Sequence, residues 1–310
     1  MNELIPIVGS ILIAFVIGSN DTSNALGICI GCGVVTFKKA VIFFGFFVFL
    51  GITLQGHKVM KTVGNDLLAV NSSILGVSLL VTAFLIIFSN WQKLPVSCHQ
   101  VIIGSLTGAG VASGTAVDYS SLYKILASWV ISPLGAFLFS FLLYRIMEAT
   151  LSKFPIFRIE RILRILLVMS GILIAYNTGA NELATVLGGS VHSGLIDPLQ
   201  ASLGGGLLVF LGAILLSSRV IETVGKGITS LDPYSGFAGQ FGAGLSVMVF
   251  TSMGMPVSTT YCIIGGIVGV GMVKGLETVR FNLIRKMLIS LVVTPVSAFL
   301  ICFTITRALQ

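Results

Sequence analysis

The chain has 310 residues, of which 55% are hydrophobic and only 9% charged, far from the roughly 25% charged residues of a soluble globular protein. That composition excludes a soluble fold: at about 1.5 Å per helical residue and a hydrocarbon core of about 30 Å, the chain supplies about ten membrane spans and leaves no room for an appended soluble domain. The formal charge of +7 is accounted for by juxtamembrane lysines and arginines, which makes membrane lipid, not nucleic acid, the expected partner.

Apolar runs separated by short polar breaks fall at about 4–36, 40–56, 74–90, 95–114, 124–147, 161–191, 199–217, 235–253, 256–273 and 281–306. Helices are expected throughout, because lipid offers no partner for an open backbone and the runs lack the alternation of barrel strands. The fold class is all-α integral membrane, multi-pass in the cell membrane. The first run has no basic residue before it and no small-residue cleavage site, so it reads as a span and not a removable signal. Within it, Gly18-Ser19-Asn20-Asp21-Thr22-Ser23-Asn24-Ala25-Leu26-Gly27 combines glycines with oxygen-bearing side chains, the composition expected of a broken helix. The fourth run opens with Pro95-Val96-Ser97-Cys98-His99, and Trp91 and Trp129 are read as interfacial anchors. The most basic break, with Arg145, Lys153, Arg158, Arg161 and Arg164, is placed in the cytoplasm. Fourteen of the eighteen bases then fall inside, only Lys58, Lys61, Lys124 and Arg307 fall outside, and both termini are external.

The second half repeats the first at an offset of 161 residues. Ile11-Leu12-Ile13-Ala14 recurs as Ile172-Leu173-Ile174-Ala175, and Gly18, Asn20, Leu26 and Gly27 recur as Gly179, Asn181, Leu187 and Gly188, eight identities in seventeen positions. Pro95-Val96-Ser97 matches Pro256-Val257-Ser258, and Gly104 and Gly108 match Gly265 and Gly269, glycines expected to permit close helix packing. Residues 1–160 and 161–310 therefore read as two membrane repeats of five spans each. An odd number of spans per half makes the repeat inverted, with broken helices at its interface, the architecture of a secondary transporter.

Two chemistries follow. Asp21 and Glu182 are embedded in apolar sequence, occupy equivalent positions, and have no Lys or Arg in their segments, so a cation is expected to neutralise them. Asn20, Asp21, Asn24, Asn181, Glu182 and Thr185 are the expected ligands, and their oxygens suit a hard ion such as sodium. Ser97, Cys98, His99, Ser258, Thr259 and Thr260 follow a proline at a helix start, where free N–H groups and hydroxyl donors grip an oxyanion. An exchanger of metal cations also fits paired acidic repeats, although the Pro-Val-Ser elements argue against it. No nucleophile and base, nor H-E-x-x-H pair, points to an intramembrane enzyme.

These residues resemble the inorganic phosphate transporter family, which also contains sulfate permeases. Gly18-Ser19-Asn20-Asp21 and Gly179-Ala180-Asn181-Glu182 are similar to its Gly-Ala-Asn-Asp-type motif. Pro256 to Thr260 is similar to its Pro-Val-Ser-Thr-Thr-type element, with a weaker copy at Pro95 to His99. The resemblance implies cation-coupled uptake of a tetrahedral oxyanion, inorganic phosphate first and sulfate as the alternative, with sodium or a proton as the coupled ion and a homodimer as the usual assembly. The sequence departs from the family pattern at Glu182, Thr185, Cys98 and Tyr261.

Overall fold

The computed structural model describes residues 3–91, 96–151, 155–228, 232–275 and 281–310; Pro95 and Lys153 lie outside them. Apart from an isolated bridge between Leu68 and Val117, the elements among the described residues are helical. Helix α1 is Leu4–Gly31, α2 is Phe37–Lys61 followed by a π-helical turn at Thr62–Asp66, α3 is Ser72–Trp91, α4 is Cys98–Ala112 and α5 is Tyr119–Leu151. Helix α6, Ile156–Asn177, passes through a π-helical segment at Thr178–Leu183 into α7, Ala184–His192; α8 is Pro198–Ile228, α9 is Pro233–Ser252, α10 is Thr259–Lys274 and α11 is Phe281–Ala308. With α6 and α7 taken together, each apolar run of the sequence coincides with one helical rod.

Among the described residues, six of these helices are long and apolar enough to cross a membrane. Helices α4 and α10, of 15 and 16 residues, reach only about 22 and 24 Å at 1.5 Å per residue, short of a 30 Å core. Each is paired instead with the helix before it, α4 with α3 and α10 with α9.

The packing crosses between the halves. Helix α1 runs along α8 while α6 and α7 run along α2; α4 runs along α11 while α10 runs along α5. Glycines make these approaches possible. A methyl added at Gly18 would stand 1.9 Å from the Val209 carbonyl oxygen, and one at Gly179 would stand 1.9 Å from that of Val48, an equivalent residue. The same holds for Gly104 against Pro295 and Gly265 against Pro133, at 2.4 and 2.3 Å. Backbones in such contact associate without a hydrophobic driving force, as helices in lipid must. The rods also end alike: α1 stops at Gly33 and α7 at Gly194, with φ of 65° and 75°, the left-handed cap that glycine adopts without strain.

One seam is open. Between α1, α3 and α11 lies a cavity of about 830 Å³, lined by Asn71, Ser113 and apolar side chains such as Leu80 and Ile305.

Candidate functional site

The expectation of broken helices at the acidic motifs is corrected by the structure. Helix α1 runs regularly through Asp21, and the second copy widens into a π-turn without leaving the helix. The hydroxyls responsible for that expectation bond to their own helix: Thr22 Oγ1 donates to the Gly18 carbonyl at 2.7 Å and Ser23 Oγ to that of Asn20 at 2.6 Å. Gly18 and Gly179 serve helix contact rather than unwinding. The breaks lie instead before Cys98 and between Ser252 and Thr259, where Ser97 and Ser258 are extended.

Asp21 and Glu182 are both buried, and their carboxyl groups reach one another. Asn24, one turn beyond Asp21, donates from Nδ2 to Asp21 Oδ1 at 2.9 Å and to Thr260 Oγ1 at 3.3 Å, which joins the first acidic motif to the start of α10. Cys98 lies within electrostatic reach of both acids, and His99 reaches Asn181 and Glu182. Side chains from α1, the π-turn, α4 and α10 thus meet at one place. Among the described residues every ion pair involves other acids, Asp66, Glu148, Glu160 and Asp232, so no described lysine or arginine pairs with the two central carboxyls.

Other predicted ligands are occupied by the protein itself. Asn181 Nδ2 donates to Thr251 Oγ1 at 2.7 Å and to the Met255 carbonyl at 2.9 Å, while its Oδ1 accepts from the Val257 N–H at 3.1 Å. This single carboxamide clamps the extended link between α9 and α10. Thr185 Oγ1 donates to the Asn181 carbonyl at 2.7 Å, and half-buried Asn20 accepts from Ser19 Oγ at 3.4 Å.

The oxyanion element has the opposite character. Ser97 Oγ, Thr259 Oγ1 and His99 Nε2 are buried with no partner, whereas Ser258 Oγ accepts from the Tyr261 N–H at 3.4 Å and caps α10. Unmade buried donors are costly in lipid-embedded protein. Beside the free N–H groups of two helix starts they form a place where an oxyanion supplies the missing acceptors.

Three residues escape a reading of the sequence alone. Trp129 is buried, not interfacial: its Nε1 donates to the Pro256 carbonyl at 2.9 Å and braces the α9–α10 link that Asn181 also holds. Gln240 donates from Nε2 to the Asn24 carbonyl at 2.9 Å and accepts from Ser170 Oγ at 3.0 Å. Gln100 meets Tyr261. A lone carboxamide inside an apolar run is the available signal for both glutamines.

The sequence profile described as "Phosphate transporter family" matches residues 17–302. A relative from Methanocaldococcus jannaschii, named "Putative phosphate permease", is 36% identical over 303 residues, covering 96% of this chain and 95% of its own. The sulfate permease of Bacillus subtilis is 30% identical over 299 residues, covering 94% and 84%. A solved structure, named "The sodium-dependent phosphate transporter", superposes with a TM-score of 0.87 at 22% identity, covering 99% of this chain and 98% of that one, so the two share a fold.

Proposed function

The chain belongs to the phosphate transporter family, and from that premise we propose that it carries inorganic phosphate into the cell together with sodium. The family is one of multi-pass membrane transporters, not enzymes. The observation that carries the proposal is the juxtaposition of Asp21 and Glu182, two facing carboxyls with no lysine or arginine partner among the described residues, with the unpartnered polar groups of Ser97, His99 and Thr259.

Charge dictates the order of events. Two carboxylates repel a phosphate dianion, so cations bind first or together with it. An ion between Asp21, Glu182 and the substrate oxygens raises anion affinity, and by linkage the anion raises ion affinity by the same factor. Sodium as the coupled ion is supported by oxygen-only ligands and by the likeness to a structure named as sodium-dependent; a proton shared by the carboxyls is the alternative.

The proposal includes the arrangement in the membrane: two inverted repeats, 1–160 and 161–310, ten helical rods, both termini external, and assembly as a homodimer. Reciprocal glycine contacts at a 161-residue offset support the two-fold relation of the repeats, and paired rods support alternating access between them. Sulfate is the second reading, favoured by the 30% identical permease of Bacillus subtilis.

Uptake of labelled phosphate into proteoliposomes, with and without an inward sodium gradient and with excess sulfate, tests this. Sodium-stimulated uptake that sulfate leaves intact is expected, with Asp21→Asn and Glu182→Gln each removing the stimulation. Uptake driven equally well by potassium, or blocked by sulfate, would overturn the coupled ion or the substrate respectively.

A further inference from the structure

Ser97-Cys98-His99-Gln100 opens α4 with the residues of a capping box, in which the N-cap serine takes the N–H of the fourth residue and the glutamine reaches back to the serine N–H. Neither bond is made. The Ser97 side chain caps nothing and its Oγ is buried without a partner. Gln100, fully buried, turns its Oε1 to the Tyr261 hydroxyl, which donates to it at 3.1 Å, and its Nε2 is left with no partner.

The equivalent start of α10 behaves differently. Ser258 accepts from the Tyr261 N–H and closes its cap. Ser97 stands at the N-cap of α4 and Gln100 is its third helical residue, so two unpartnered polar groups lie at that helix start while the matching groups of α10 are spent. Tyr261 also meets Ser290 of α11. The Tyr261 proton goes to the Gln100 oxygen, and a carboxamide receiving a proton on oxygen must turn its NH₂ the other way.

We propose that Gln100 donates directly to the transported oxyanion, that Tyr261 is the positioning residue that fixes its amide, and that the start of α4, not that of α10, is the principal anchor of the anion. The proposal rests on the oxyanion reading of this site. A neutral amide donor suits that place: it binds oxygens without cancelling the negative carboxyls on which cation coupling depends. Gln100 and Tyr261 are 161 residues apart, the same position in the two halves, so the pair joins the paired rods where they face each other.

The test is initial uptake of labelled phosphate, and separately of labelled sulfate, by proteoliposomes of wild type, Gln100→Leu, Tyr261→Phe and the double variant. Gln100→Leu is expected to raise the KM for the anion about tenfold, as loss of one hydrogen bond to a charged ligand does, with Vmax and the sodium KM within about twofold. Tyr261→Phe should raise it severalfold. The double variant should resemble Gln100→Leu alone, because both changes act through one amide. A merely structural role would lower Vmax or yield without this split. An anion KM unchanged in Tyr261→Phe, which removes a single oxygen and keeps the ring, overturns the proposal even where Gln100→Leu does not fold. Wild-type protein that carries neither anion would overturn the oxyanion reading itself, and the anchor with it.

Discussion

The two inner seams of the molecule are built from equivalent helices and held by different forces. Between α9 and the rod formed by α6 and the π-helical segment after it, the contact is a ladder of hydrogen bonds: Ser170 to Gln240 at 3.0 Å, Asn177 Nδ2 to the Gly244 carbonyl at 2.8 Å, and Asn181 to Thr251 at 2.7 Å. Between α1 and α3 the residues matching the first two rungs are Gly9 with Leu79 and Val16 with Ala83, and Gly9 packs directly on the Leu79 side chain. The outer ends differ in the same sense. Asp232 caps α9 through the Ser235 N–H at 2.9 Å and pairs with Lys274 at the end of α10. Asn71 caps α3 through the Ile74 N–H at 2.9 Å, and it and Ser113, the residues matching Asp232 and Lys274, line the open cavity. In lipid an apolar seam is held by van der Waals packing alone, whereas hydrogen bonds add a directional constraint. The difference teaches that the α9–α10 pair is tied to its inner neighbour by hydrogen bonds, where the α3–α4 pair relies on packing alone.

The comparison can be broken first where the halves should behave alike. Gly18→Ala and Gly179→Ala each drive a methyl into a backbone carbonyl that cannot yield, and each should cost about 3 kcal/mol or more. Thermal unfolding of the two variants in detergent should give equal losses; a large loss in one alone would deny that the halves pack equivalently.

Asn181→Ala and Asn20→Ala should then separate the halves. The first removes three bonds and orphans buried groups of the α9–α10 link, for about 2–3 kcal/mol, and the second should cost under about 1 kcal/mol. Equal melting temperatures would remove the anchored seam.

A smaller effect is expected from Asn177→Val, which makes the second seam resemble the first. It deletes a buried, unpartnered Oδ1 together with the donor to Gly244, so the loss should be below about 1 kcal/mol. Uptake should be the more sensitive readout, with a changed Vmax at constant KM.

The smallest concerns pH. Burial pushes the Asp232 carboxyl up, but Lys274 and the Ser235 donors outweigh it and hold the carboxyl below the usual range. A depressed carboxyl stabilises above its unfolded pKa, about 3.9, and loses that contribution as pH falls through the lower folded value. For a pair this exposed the effect is a few tenths of a kcal/mol. Asp232→Asn should flatten the wild-type decline in melting temperature between about pH 4 and 2, and Asn71→Ala should leave its slope unchanged.

Much of this is legible in the sequence. Hydropathy locates every rod, because each apolar run must satisfy its backbone internally. The repeat brings Asp21 and Glu182 together, and with them Asn24, Cys98, His99 and Thr260. What escapes depends on partners distant in the chain. Glycines and hydroxyls beside Asp21 read equally well as an unwound segment or as tight packing with back-bonding, and only the presence of α8 against Gly18 decides. Asn181 reads as an ion ligand because its neighbour is acidic, yet its carboxamide is taken by a link some seventy residues away. Residue type alone puts Trp129 at the interface, and a carbonyl 127 residues distant draws it inside.

The glycine contacts between halves also set a clock on biogenesis. Gly18 needs the backbone of Val209, which lies 191 residues later in the chain. At about 5–20 residues per second of synthesis, α1 stands in the bilayer for about 10–40 s before its closest neighbour is made. Through that interval α2, α3 and α6 are made and can pack on α1, but the face around Gly18 that α8 covers has only lipid or the insertion machinery against it.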